Sequence, residues 1–145
     1  MEMSKNFTLA EFVKSETARK LGIDNTPPTE VIAHLGELVF SLLQPIRDAW
    51  GAPIIVTSGY RCPALNKAVG GVETSSHLTG YAADIRPEKA KDLPHLKILI
   101  QAVVLAQKIP FDQILFERHG GAEWIHISVR RNNGEQRGQL FTIDK

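Results

Sequence analysis

A chain of 145 residues, 43% apolar and 23% charged, is expected to fold as one soluble globular domain, residues 1–145, around a single core. Its net charge of +1 makes no electrostatic case for nucleic acid or an anionic membrane, and no apolar run approaches the ~18 residues of a membrane span. Cys62 is the only cysteine, so no internal disulfide forms and a disulfide-stapled scaffold is excluded.

Residues 1–6 contain no apolar run of the kind a secretory signal needs, so the expectation is synthesis and folding in the cytoplasm. Residues 6–25 read as a helix with flanking turns; Thr8 and Glu11 have capping-box spacing, and Phe7, Leu9 and Phe12 supply an apolar surface. Thr26-Pro27-Pro28 breaks that run, which makes residues 1–27 a helical segment packed on the core. Residues 29–50 form the clearest helix: Val31, Leu35, Leu38, Leu42 and Ile46 recur at three- and four-residue steps, with Thr29 as N-cap, Gly51 as stop and a kink at Pro45. His34 beside that stripe has no second ligand at a suitable spacing and reads as an ordinary packed or half-exposed histidine rather than a ligand.

Residues 53–58 are β-rich and apolar, a strand that delivers Gly59-Tyr60-Arg61 to a loop. By residue type alone Arg61 is either a surface charge or a site residue. Residues 63–67 read as a helical turn and residues 69–72 as a tight loop. No activating base accompanies Cys62, which leaves it a bystander thiol. Residues 81–85 read as a short buried strand, and a helix follows from Pro94 to Ile109, with Asp92 as N-cap and an exposed His95 in its first turn. Residues 112–117 and 124–130 form a hairpin with a longer loop, and residues 139–143 add an edge strand. Helices early and strands late give an α+β class: a small antiparallel sheet carrying a site on one face, with helices packed on the other.

The chemistry concentrates in two stretches. His77 and Asp84 are metal-ligand types seven positions apart, and Gly80 between them is where the chain can reverse to bring them together. Asp84 among Ala82, Ala83 and Ile85 is costly to bury without a partner, and a metal supplies one. His126, in an apolar strand, makes a third ligand; three protein ligands leave a fourth position for water, the catalytic form of a zinc site. Glu123, three residues earlier, is the expected proton acceptor. Strict alternation sets Glu123 on the face opposite His126, so this role requires Glu123 to lie ahead of the regular strand. His119 sits on the loop leading to Glu123, beside two glycines that argue against a fixed ligand.

These residues form a pattern: Ser75-x-His77-x-x-Gly80-x-Ala82-x-Asp84, then Glu123-x-x-His126, with Ser58-Gly59-Tyr60-Arg61 and Asn66-x-x-Val69-Gly70-Gly71 before them. The pattern resembles the zinc D-Ala-D-Ala carboxypeptidase and dipeptidase family, which includes phage L-alanyl-D-glutamate endopeptidases, and it spans roughly residues 28 to 130. The resemblance implies an α+β fold and zinc as cofactor. It also implies a bacterial cell-wall (peptidoglycan) stem peptide as substrate, and Arg61 beside the scissile carbonyl. Ser75 and Tyr60 are then substrate-binding residues, Ser75 through a hydrogen bond to the substrate backbone or a terminal carboxylate. A monomer that reaches the wall after release, for example by a phage holin, fits this picture. The alternatives are a D-Ala-D-Ala carboxypeptidase or dipeptidase, and a zinc-containing wall-peptide-binding module without turnover; retention of both Glu123 and Arg61 speaks against the last.

Overall fold

In the computed structural model, which describes residues 1–145, the chain opens on a two-stranded ribbon rather than a helix: β1 (Glu2–Ser4) pairs with β2 (Phe7–Thr8). Two short helices follow, α1 (Leu9–Val13) and α2 (Glu16–Leu21). The Glu11 carboxylate accepts the Thr8 backbone N–H at 2.6 Å, and the Ser15 hydroxyl accepts the Ala18 N–H at 3.1 Å, so each helix starts on a satisfied donor. Phe7 and Phe12, both buried, belong to the core cluster.

The long amphipathic stretch is capped one residue earlier than expected, with Pro28 as N-cap of α3 (Thr29–Leu38). It continues through one wide π-helical turn, Val39–Leu43, into α4 (Gln44–Trp50). Proline at 45 offers no N–H to the carbonyl four residues back, and its ring would collide with it. The chain answers with a wider winding in which the Gln44 N–H reaches the Val39 carbonyl. Leu35, Leu38, Leu42 and Ile46 stay on one buried face across this break.

The remaining elements are β3 (Ile54–Ser58), α5 (Pro63–Ala68), a 3₁₀ turn at Ser76–Thr79, β4 (Ala82–Pro87), a 3₁₀ turn at Ala90–Asp92, α6 (Leu93–Ala106), β5 (Gln113–His119), β6 (Ala122–Ser128) and β7 (Gln139–Asp144). Strands β3 to β7 form one sheet in the order β3-β4-β6-β5-β7. The first three pairings are antiparallel, but β7 runs parallel to β5, so the sheet is mixed rather than wholly antiparallel. Connectivity explains this. β6 ends opposite the start of β5, with Ser128 across from Gln113, and β7 starts beside that same residue, with Gln139 across from Gln113. The connection crosses only the end of β5, and the next strand must then run alongside it.

The β5–β6 hairpin is tighter than expected. His119 pairs with Ala122 across a two-residue turn, Gly120-Gly121, whose φ values of 55° and 85° are the left-handed pair that matches hairpin twist. One face of the sheet, carrying Ala83, Ile85, Ile114, Phe116, Ile125 and Ile127, packs on Leu35, Leu42, Ile46, Leu96 and Ile100 from the helices. The other face is left for side chains at 84, 115, 117, 124 and 126. No helix is long and apolar enough to cross a membrane.

Candidate metal centre

Asp84 and His126 are directly opposed on the neighbouring antiparallel strands β4 and β6, both on the face away from the helices. Their side chains meet, with Asp84 Oδ1 3.1 Å from His126 Nδ1. His77 arrives from the 3₁₀ turn. Gly80 ends that turn at φ +82°, and a Cβ there would stand 2.8 Å from the Val31 carbonyl oxygen, so the reversal needs glycine on both counts. The Ser75 hydroxyl caps the turn by accepting the His77 N–H at 3.2 Å.

His77 is oriented from behind. Its Nδ1 donates to the Gly59 carbonyl at 2.7 Å, which leaves Nε2 facing Asp84 Oδ1 at 3.4 Å. One nitrogen from each histidine and one Asp84 oxygen lie within 4.8 Å of one another. Ligands about 2.0–2.1 Å from a tetrahedral zinc stand roughly 3.3–3.5 Å apart, so the two imidazoles flanking the carboxylate already have a suitable spacing. Burial by itself would push the Asp84 carboxyl up. The charge and hydrogen bonds of His77 and His126 outweigh burial and hold it well below the usual carboxylate range. An anionic oxygen and two imidazole nitrogens in a largely buried cluster form a donor set suited to zinc.

Arg61 closes one side of this cluster. Its backbone N–H donates to the His77 carbonyl at 3.1 Å, and its Nη1 donates to Asn66 Oδ1 at 3.2 Å. Asn66 is buried and donates in turn to the Val72 carbonyl at 2.9 Å. The Arg61 Nε is buried and has no partner. Burial lowers the guanidinium pKa against the opposing charges of Asp84 and Glu117. A desolvated cation with an unused donor can stabilise an anion brought beside it.

The other expected residues divide. Ser75 lines the groove beside His77. Tyr60 is buried, its ring belonging to the core and reaching the groove only as part of a wall. Burial and the neighbouring Cys62 raise its phenol pKa. Glu123 does not leave the pleat: β6 is regular from Ala122, Glu123 pairs with Arg118, and its side chain lies on the helix side of the sheet. There Oε1 is 3.8 Å from Lys97 Nζ of α6 and 3.7 Å from Arg118 Nε. The two-glycine turn is too short to offset the strand, so alternation decides the face. His119 lines a surface recess with Glu123 and Asp144, apart from the cluster.

Sequence reading missed Glu117. It alternates with buried Ile114 and Phe116 and so points, with Leu115, to the face that carries His126. The signal was in that period of two, but this carboxylate lies outside the two motif stretches. A groove of about 570 Å³ runs over His77, Asp84 and His126 and is walled by Glu117, Trp124 and Arg131. A second lobe of about 380 Å³, walled by Lys14, Ser15, Thr17 and Thr57, adjoins it. Arg61 and Asp84 line both.

The chain matches the model of the peptidase M15 family over residues 5–128 and belongs to that family. Membership makes it a zinc metallopeptidase of the kind that acts on peptidoglycan-type substrates, and His77, Asp84 and His126 are the group that fits the metal. No individual curated protein matches the chain.

Proposed function

We propose that this protein is an endopeptidase that cuts within the peptidoglycan stem peptide, with the L-Ala–D-Glu bond favoured over D-Ala–D-Ala. The observation that carries this reading is the groove that extends to both sides of Arg61 and Asp84. A carboxypeptidase or dipeptidase needs a wall that stops the chain shortly beyond the scissile bond, whereas an endopeptidase needs room for residues on both sides. Charge supports the choice of bond. D-Glu keeps one carboxylate free of its peptide bonds, and Lys14, which forms no ion pair, shares a lobe with Arg61, where Glu16 is already paired with Arg19.

Zinc held by His77, Asp84 and His126 would lower the pKa of a water and polarise the peptide carbonyl. Arg61 stabilises negative charge on the carbonyl oxygen as the carbon becomes tetrahedral. Ser75 holds His77 in place and offers its hydroxyl to the substrate backbone.

Digestion of purified peptidoglycan, with and without chelator, followed by mass spectrometry of the muropeptides, tests the reading. Chelator-sensitive fragments with a new D-Glu amino terminus are expected. Release of terminal D-alanine alone would make the protein a carboxypeptidase, and unaltered muropeptides alongside cleavage of free D-Ala-D-Ala would make it a dipeptidase.

A further inference from the structure

Peptide hydrolysis needs a group that accepts a proton from the attacking water, and Glu123 faces the helices with Lys97 and Arg118. The groove face carries another carboxylate. We propose that Glu117 is the general base of the reaction, an assignment that rests on the peptidase reading above.

Three observations place Glu117 for this role. It lies directly across from Trp124 in the β5–β6 ladder, so it is the diagonal neighbour of His126 on the same face. Such neighbours have Cα atoms about 7–8 Å apart, which leaves space for a water between the carboxylate and the cluster. Its Oε2 accepts the Trp124 indole N–H at 3.1 Å, while no protein group donates to Oε1. The indole thus fixes the carboxylate on one oxygen and leaves the other for the groove, which both residues line. Finally, its charge acts on Arg61 alongside that of Asp84, which puts it within electrostatic reach of the group that faces the oxyanion.

The step balances without a co-reactant. Glu117 accepts a proton from water as the water oxygen bonds to the carbonyl carbon. It then gives that proton to the amide nitrogen as the C–N bond breaks. The products are a carboxylic acid and an amine, and Glu117 ends as the carboxylate it began as.

The test compares Glu117→Gln with Glu123→Gln in zinc-loaded protein. The side-chain amide of E117Q keeps an oxygen for the Trp124 indole, and an unchanged melting temperature would show that the contact survives. E117Q should keep one equivalent of zinc, bind stem peptide with little change in KM and lose roughly 10²- to 10⁴-fold in kcat. E123Q should stay near wild type. Glu117→Asp, a shorter carboxylate, should recover part of the loss.

A second readout does not depend on the substrate. Acetohydroxamate binds zinc as an anion and transfers its proton to a nearby carboxylate, so calorimetry should show at least tenfold weaker binding to E117Q and no change in E123Q. Wild-type hydroxamate affinity in zinc-loaded E117Q would overturn the assignment, as would wild-type turnover. If the wild-type enzyme cleaves no wall peptide while hydroxamate binding still depends on Glu117, the substrate reading fails and the Glu117 assignment stands.

Discussion

Asp84 and His126 face each other across β4 and β6 with 3.1 Å between Oδ1 and Nδ1. The relationship is set by sheet register, so the backbone ladder itself fixes two of the three candidate ligands. A one-residue slip of β6 would send His126 into the core and bring Ile125 or Ile127 onto the groove face. His77 is held differently, by a capped turn and the Gly59 carbonyl.

The first prediction follows from that difference. Wild-type protein should bind one equivalent of zinc, and both His126→Ala and Asp84→Asn should lose it, as read by elemental analysis after zinc reconstitution. Removing metal from wild type should lower the melting temperature, because a ligand present at 1,000 times its Kd stabilises the fold by about 4 kcal/mol. Full zinc occupancy in His126→Ala, or a melting temperature indifferent to chelator, would contradict the ligand set.

The site was legible in the sequence where chemistry and backbone conformation coincide. A histidine, a glycine and an aspartate at fixed spacing describe a turn and a strand together, and the structure brings that histidine and aspartate into one cluster with His126. Faces of strands were legible too, because Ile125 and Ile127 assign the core side and leave His126 on the other. What sequence could not supply was the length of the β5–β6 turn, on which the face of Glu123 depended. Nor could it supply the partners brought together by tertiary structure. Asp112 reads as a strand residue, yet it is fully buried and bound to Arg137, a contact between residues separated by both strands of the hairpin. The parallel run of β7 follows from where β6 ends, which is topology and not local pattern.

Arg61→Ala should lower kcat by roughly 10²- to 10³-fold with zinc content unchanged, since the guanidinium has an unused buried donor and touches no ligand directly. Arg61→Lys should recover little. A lysine ammonium is a point charge without the planar fork that holds Asn66 through one nitrogen and leaves another unpaired. Kinetics on a defined stem peptide measure both, and wild-type kcat in either variant would remove Arg61 from the reaction.

The Asp112–Arg137 pair contributes to acid stability. The Arg137 guanidinium donates to both Asp112 oxygens at 2.8 Å, its backbone N–H donates to Oδ1 at 3.1 Å, and the Ser128 hydroxyl adds a fourth contact at 3.4 Å. Burial pushes the Asp112 carboxyl up, but these hydrogen bonds and the Arg137 charge prevail and hold it below its ordinary value. A depressed carboxyl contributes stability that is fully present above its unfolded pKa of about 3.9 and is lost as pH falls through the folded value. Asp112→Asn should therefore cost about 2 kcal/mol at pH 7 in urea unfolding. The gap from wild type should narrow as the pH drops below about 4. A gap that is constant with pH would mean that the charge of Asp112 contributes nothing.

The last prediction separates positioning from folding. At Gly71 an added Cβ would lie 2.1 Å from Asn66 Oδ1 and 2.7 Å from Arg61 Nη1, which are the two atoms whose contact sets the guanidinium. No φ in the left-handed region is required at Gly71, so alanine there is permitted by the backbone and resisted only by these side chains. Arg61 and Asn66 must move, and the core, which lies on the other face of the sheet, need not. Gly71→Ala should then lower kcat by about tenfold or more, because misplacing a preorganised donor by an ångström can cost as much as 10²-fold. Zinc stoichiometry and the melting temperature should stay close to wild type. Pairing the variant with Arg61→Ala completes the test: if Gly71 acts through Arg61, the double variant loses no more activity than Arg61→Ala alone. Additive losses would show that the Gly71 loop contacts substrate by itself.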